Sequence, residues 1–338
     1  MDAQLSVDAT DIEFVNLLQN NPCAAWAELS PQLSLTPPNL SRRWNRLRRH
    51  HLAWSGIALH PGRSYGAFIE IRCKPSDIAT VTKQLVTQPD IITVGHSTGL
   101  FNLYAICIST SVTRVLDRTS GSLLDIPEIQ RVCVSLFNRI NGGVTWNQGL
   151  GDPLDTHPAP DTTARDTRLP DFDETDEVKR LFTALAGDAR KPAAAVAREL
   201  DMSTERVARI TAEMQDKNFI TYRVDVARPI FDYRLGMKLL VKVPPLRARQ
   251  LAEEVGHWSE TRFCCETANT SNLILIASLR NFEFGEALVA RLLKCEPTAE
   301  IVSRDVCTKM YKVYGWTIAE DGRQDGLIPV QPWAQGSE

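Results

Sequence analysis

GHSTGLFNLYAICIS, residues Gly95 to Ser109, is written a second time as CETANTSNLILIASL, residues Cys265 to Leu279. Each stretch leads from a polar turn into seven residues that are almost wholly apolar. The offset between them is 170 residues. A second pair aligns at an offset of 167: TPPNLSRRWNRL, from Thr36 to Leu47, lies over STERVARITAEM, from Ser203 to Met214. Upstream of these, AELSPQLSLT lies over AVARELDMS. Two offsets that differ so little describe one unit written twice in tandem. Between the copies, the stretch from NGGVTWNQGLGD to DTRLPD is rich in Gly, Pro, Asp and Thr and has no apolar periodicity, which reads as a linker over residues 141–172.

Each copy changes period once. The opening piece of the first is helical: Ile12, Val15 and Leu18 repeat at helical spacing, AWAELSPQL is a short helix, and a third helix starts after Thr36. Thr36 serves as N-cap, with Pro37 and Pro38 in the first turn, where a missing N–H costs nothing. Three short helices with a tight break before the last describe a helix-turn-helix. The second piece alternates. YGAFIEIRC is a strand, a helix follows over 76–88, residues 91–97 and 101–108 are a strand pair, a helix covers 111–120, and a last strand covers 130–137. The order is βαββαβ, a ferredoxin-like arrangement. Strand 101–108 is apolar on both faces, so one face meets helices and the other meets a sheet. The fold class is therefore α+β, in two tandem copies. The expected domains are a helix-turn-helix over 1–54, a ferredoxin-like effector domain over 62–140, the linker, a second helix-turn-helix over 173–222, a second effector domain over 233–318, and a tail over 319–338.

Composition sets the bounds. A chain of 338 residues with 43% hydrophobic content can fill more than one core. The net charge of −3 excludes a protein coated in polyanion, so any such binding is local. No apolar run is long enough to span a bilayer, and the start has no secretory pattern. Eight cysteines are scattered without a CxxC pair and read as buried thiols of a cytoplasmic protein. The six histidines show no ligand spacing. No metal, cofactor or catalytic constellation is expected.

Three features together resemble the Lrp/AsnC (feast/famine) transcriptional regulators: DATDIEFVNLLQNN, the helix pair AELSPQLSLTPPNLSRRWNRLRRHHLAW, and the strand–glycine–strand STGLFNLYAI. The resemblance covers nearly the whole chain twice. It departs from the family in being a tandem fusion, and in placing Asn269 where the first copy has Gly99. Asn tolerates the left-handed conformation such a turn can require. The resemblance implies DNA reading by the third helix and effector binding at the turns. Effector-site residues are then His96, Thr98, Gly99, Leu100, Phe101 and Asn102, with Glu266, Asn269, Thr270 and Asn272 in the second copy. The expected ligand is a small molecule of amino-acid type. Because His96 and Glu266 differ in charge, two equivalent effector sites are not expected.

On a helical wheel Leu40, Trp44 and Leu47 face inward, while Arg42, Asn45, Arg46 and Arg49 face out, with Arg43 and Arg48 on the flanks. No acidic residue stands three or four places away, so the basic face reads as a contact for double-stranded DNA made by Thr36, Asn39, Ser41, Arg42, Arg43, Asn45, Arg46 and Arg49. In the second copy Arg46 becomes Glu213 and Arg49 becomes Asp216, so only the first reads DNA. A palindromic operator would then need at least a homodimer. The sequence reading is thus a regulator and not an enzyme. One alternative is carried. Siroheme decarboxylases also resemble Lrp/AsnC proteins, and in them basic residues hold tetrapyrrole carboxylates. His60, Arg63 and Tyr65 in HPGRSYG, with His50 and His51 nearby, are the residues that would serve that role here.

Overall fold

A computed structural model describes residues 6–121, 125–143 and 169–334. The chain opens with three helices, α1 (Ala9–Asn20), α2 (Trp26–Leu33) and α3 (Pro37–Arg49). Strands and helices follow as β1 (Ala53–Leu59), β2 (Tyr65–Cys73), α4 (Ile78–Val86), β3 (Ile91–Ser97), β4 (Leu103–Ser109), α5 (Val112–Ser120) and β5 (Ile129–Gly142). The same order then recurs as α6 (Asp176–Leu185), α7 (Ala193–Leu200), α8 (Thr204–Asp216), β6 (Ile220–Val226), β7 (Leu235–Lys242), α9 (Pro245–Gly256), β8 (Thr261–Thr267), β9 (Leu273–Leu279), α10 (Phe282–Cys295) and β10 (Glu300–Val313). A hairpin of β11 (Trp316–Ile318) and β12 (Gln324–Leu327) ends it. The last strand of the first copy runs further than its expected end at residue 137, into what reads as linker. Most of that linker, residues 144–168, lies outside the described residues.

The helix breaks have a local cause. Ser34 and Asp201 adopt the left-handed conformation after α2 and α7, and His51 and Asn218 adopt it after α3 and α8. Thr36 stands at the N-cap of α3 without a side-chain capping bond, whereas Ser203 caps α8 by accepting from the Arg206 N–H. Leu40, Trp44 and Leu47 are buried on α3, as their spacing predicts. On α8 the buried set is Val207, Ile210 and Met214, so Thr211 does not take the place of Trp44.

The fold is α+β with one large antiparallel sheet. Its hydrogen-bonded order runs β10-β3-β4-β2-β5-β8-β9-β7, and β7 pairs back onto β10, so eight strands close a ring. The two halves meet at β3–β10, where Gly95 lies opposite Met310, and at β5–β8, where Ile140 lies opposite Cys265. β4 and β9 are buried along their whole length. Their second face meets the interior of the ring, a sheet closed on itself. α4, α5, α9 and α10 cover the outside. β1 and β6 stand apart as a two-stranded antiparallel ribbon, from Ala53 opposite Val226 to Leu59 opposite Ile220. The first three helices pack on Val224 and Val226 of β6, and the second three pack on Ile57, Ala58 and Leu59 of β1. Gly56 is required at this crossing, because a Cβ there would overlap the Ala186 carbonyl.

One buried charge in the outer layer sets a pH dependence. Lys312 on β10 is fully buried, and its Nζ donates to the Gln88 carbonyl at 2.7 Å. Burial pushes its ammonium down to about 7, with Asp90 opposing the shift. An unfolded lysine keeps its proton to about 10.4. Between those values the unfolded chain binds more protons, so this residue's contribution to stability rises with pH. Urea unfolding is expected to show wild type gaining on Lys312→Met by up to ~1.4 kcal/mol per pH unit above pH 7. A constant difference would mean that Lys312 keeps its charge in the fold.

Candidate functional site

The strand ITYRVDV decides where the charge goes. Residues two apart on a strand share a face, so Arg223 and Asp225 of β6 lie side by side and form a bidentate pair at 2.7 and 2.8 Å. Arg262 of β8 reaches the same carboxylate at 3.4 Å. The turn after β6, Arg228–Phe231, brings a third guanidinium close, with Arg228 Nη1 donating to Ser278 Oγ at 3.2 Å. Arg223 also lies 4.2 Å over the ring of Tyr314, a residue in the left-handed conformation where β10 turns into β11.

Burial makes this cluster expensive. It would raise the Asp225 carboxyl, but Arg223 and Arg262 outweigh it and hold the group below the usual carboxylate range. Burial lowers the Arg228 guanidinium. It lowers Arg262 further, with Arg228 adding to the shift. Two cations held this close out of water are relieved by an anion.

The space beside them is a cavity within the ring. Its two lobes have cavity volumes of about 60 and 100 Å³. Tyr104, Arg228, Arg262, Ile276, Met310 and Val313 line both lobes. The remaining wall of the first lobe is mainly Ile92, Ile106, Ile108, Ile140, Phe263 and Tyr314. Among the described lining residues, Arg223, Arg228, Arg234, Arg262 and Lys309 face only Asp225 and Glu320 as acids. An apolar chamber with a few convergent basic groups has the chemical character of a small-molecule site for an anionic ligand.

The residues expected to touch DNA are placed otherwise than their helix alone suggests. Arg43 pairs with Asp8 at 2.9 Å and also with Asp11. Arg46 pairs with Asp11 and donates to the Ser6 carbonyl at 3.2 Å. Arg48 pairs with Asp188 of the second half at 2.8 Å. Arg42 bonds to Asn39 on its own helix. Thr36, Arg42, Asn45 and Arg49 are exposed, and Ser41 is half-buried. The acidic partners missing at helical spacing come from α1 and from across the chain.

The turn residues are held by the other half. Thr98 N–H donates to the Val306 carbonyl at 3.0 Å, and Thr98 Oγ1 accepts from Val306 N–H at 3.1 Å. A Cβ on Gly99 would overlap the Asp305 carboxylate. Asn269 Nδ2 donates to Ser135 Oγ at 2.8 Å. Neither Gly99 nor Asn269 has a positive φ, so close packing and not left-handed backbone explains them. Asn102 bonds both backbone groups of Cys73, and Asn272 bonds both of Val243, which pins each turn to a strand end. Ser97 Oγ donates to the Phe101 carbonyl, and Thr270 N–H donates to Asn269 Oδ1. His96 meets Thr308, and Glu266 accepts from Asn141 at 3.1 Å. Leu100 is 62% exposed. None of these ten residues lines the two lobes.

In HPGRSYG, Arg63 donates to the Lys217 and Asn218 carbonyls at the end of α8, His60 Nδ1 accepts from Gly62 N–H, and Tyr65 is half exposed. These contacts hold a strand entry. The residues that do line the cavity, Tyr104, Arg223, Arg228 and Arg262, escape a reading by motif. Their signal is an arginine at an inward position of an apolar strand, since such a charge is rarely buried unless paired or in use.

No family model matches the sequence, and no curated relative does. Among solved structures, the siroheme decarboxylase NirDL in complex with an iron-uroporphyrin III analogue matches at a TM-score of 0.61 and 12% identity, over 90% of this chain and 92% of that one. A second structure of the siroheme decarboxylase NirDL matches at 0.58 and 12%, over 92% and 95%. E. coli AsnC matches over 39% of this chain and 92% of its own, at 20% identity and a TM-score of 0.35. The regulator reading and the exclusion of an enzyme are thereby corrected: the near full-length likeness is to the fold of an enzyme, and Arg43, Arg46 and Arg48 of the basic helix are neutralised within the chain. Among the described residues no helix is long and apolar enough to cross a membrane. The arrangement shown is the fold of siroheme decarboxylase NirDL, built around a buried arginine cluster.

Proposed function

We propose that this chain is an enzyme of the siroheme decarboxylase type, which takes a carboxylated iron tetrapyrrole into the barrel cavity and removes CO2 from its side arms. The observation that carries the reading is the set of Arg223 and Arg262, both buried, and half-buried Arg228 at the edge of an apolar chamber. Flat isoleucine and phenylalanine walls suit a macrocycle, and guanidiniums match carboxylates by charge and shape. The likeness to NirDL with its iron-uroporphyrin III analogue supports the same chemistry. Decarboxylation of a carboxymethyl arm needs no oxidant: R–CH2–COO⁻ and one proton become R–CH3 and CO2.

We also read the chain as a tandem duplication whose halves have diverged at this site. At the two offsets, Arg223, Asp225 and Arg228 correspond to Gly56, Ala58 and Pro61, while Arg262 corresponds to Ile92 and Tyr104 to Ile274. The basic groups are thus confined to one half, and one ligand per chain is expected. Titration with siroheme and with iron-uroporphyrin III, followed by absorbance, should saturate at one equivalent per chain. Mass spectrometry of the incubated ligand should show successive loss of CO2. Neither a spectral change nor a mass change on incubation would sink the proposal.

A further inference from the structure

We propose that Tyr104 is the proton donor to the bound ligand, an assignment that rests on the enzyme reading above. Its ring is held on three sides. It stacks on Phe68 at 5.5 Å between centroids and 17° between planes. Gly95 lies opposite it in the β3–β4 register, and a Cβ at Gly95 would sit 2.4 Å from the ring carbon that bears the hydroxyl. The hydroxyl itself donates to Met310 Sδ at 3.1 Å. A thioether is a weak acceptor, so a fully buried phenol here gives up little by turning its proton to a ligand atom. Tyr104 borders both lobes, so it touches whatever fills the cavity.

Rival donors are fewer than the size of the cavity suggests. Among the described residues no histidine lines either lobe. Cys307 borders only one of them. Lys309 is tied to Glu320 at 3.2 Å on the exposed side. Burial pushes the Tyr104 phenol well above its ordinary value, with Cys307 adding to the shift and Arg228 and Arg262 opposing it. The group therefore carries its proton throughout the neutral range, and the two guanidiniums stabilise the phenolate left behind.

The step balances without a further reactant. The Tyr104 proton goes to the pyrrole α-carbon next to the carbon that bears the carboxymethyl arm, leaving phenolate and a cationic ring. The C–CO2 bond breaks, its electron pair neutralises the ring, and CO2 leaves behind an exocyclic methylene. A proton from water converts the methylene to methyl, and the ring carbon returns its proton to the phenolate. Net consumption is one proton for each CO2.

The test compares wild type and Tyr104→Phe with siroheme as substrate and iron-uroporphyrin III as binding probe. Tyr104→Phe keeps the stacked ring and is expected to bind the probe as wild type does, while kcat falls by about 10²–10⁴-fold. Wild-type kcat should stay level through the histidine range, around pH 6.5, and decline only in alkali. A Tyr104→Phe protein with undiminished kcat overturns the assignment and leaves the enzyme reading standing, as does a wild-type rate that falls through the histidine range. Wild type that binds neither ligand, or binds without releasing CO2, overturns both.

Discussion

Arg228→Gln is expected to weaken binding of iron-uroporphyrin III by roughly 30-fold to several thousandfold, the range for removing one partner of a buried charge pair. The position suits the test because its side chain makes one hydrogen bond to the rest of the fold among the described residues, to Ser278 Oγ. Arg223 and Arg262 both hold Asp225, so their loss would mix binding with folding. Thermal unfolding of Arg228→Gln should therefore stay near wild type while affinity collapses. Arg42→Gln, on the exposed face of α3, should leave the affinity unchanged. Wild-type affinity in Arg228→Gln would place the ligand outside the barrel.

Asp225→Asn carries the largest expected cost in stability. The wild-type carboxylate sits between two guanidiniums, and all three residues are buried. Removing its charge leaves Arg223 and Arg262 without compensation in a poorly solvated place, a loss of about 3–5 kcal/mol. The urea midpoint should drop with an unchanged slope, since the surface exposed on unfolding is the same. A ligand carboxylate can replace part of the missing charge. Saturating iron-uroporphyrin III should thus raise the midpoint of Asp225→Asn by more than it raises wild type. Equal shifts in the two proteins would show that the ligand does not approach this cluster.

Much of the architecture is legible in the chain because it depends on local periodicity. Alternation in YGAFIEIRC and the apolar run LYAICIS place β2 and β4, and the paired offsets of 167 and 170 anticipate the recurring element order. Proline at the start of α3 and left-handed residues at the helix ends act within a few positions of themselves. The site was not legible in the same way. Asp8 and Asp11 stand more than thirty positions before Arg43 and Arg46, and Asp188 stands far beyond Arg48. Counting charges at helical spacing treats those arginines as unmatched, and the DNA reading grew from that count.

By itself the sequence determined most of the elements, their order and the inward face of α3. Hydrophobic period and turn chemistry suffice for all of these, since each acts over a few residues. Only the tertiary structure decided that the sheet closes, through β3 on β10 and β5 on β8. The ring carries Arg262, and the β1–β6 ribbon with the turn after it brings Arg223 and Arg228 to the same apolar chamber. Which charges neutralise one another, and which remain to hold an anion, depends on distances across the fold. Such distances are set by packing between segments that stand from about thirty to well over a hundred residues apart.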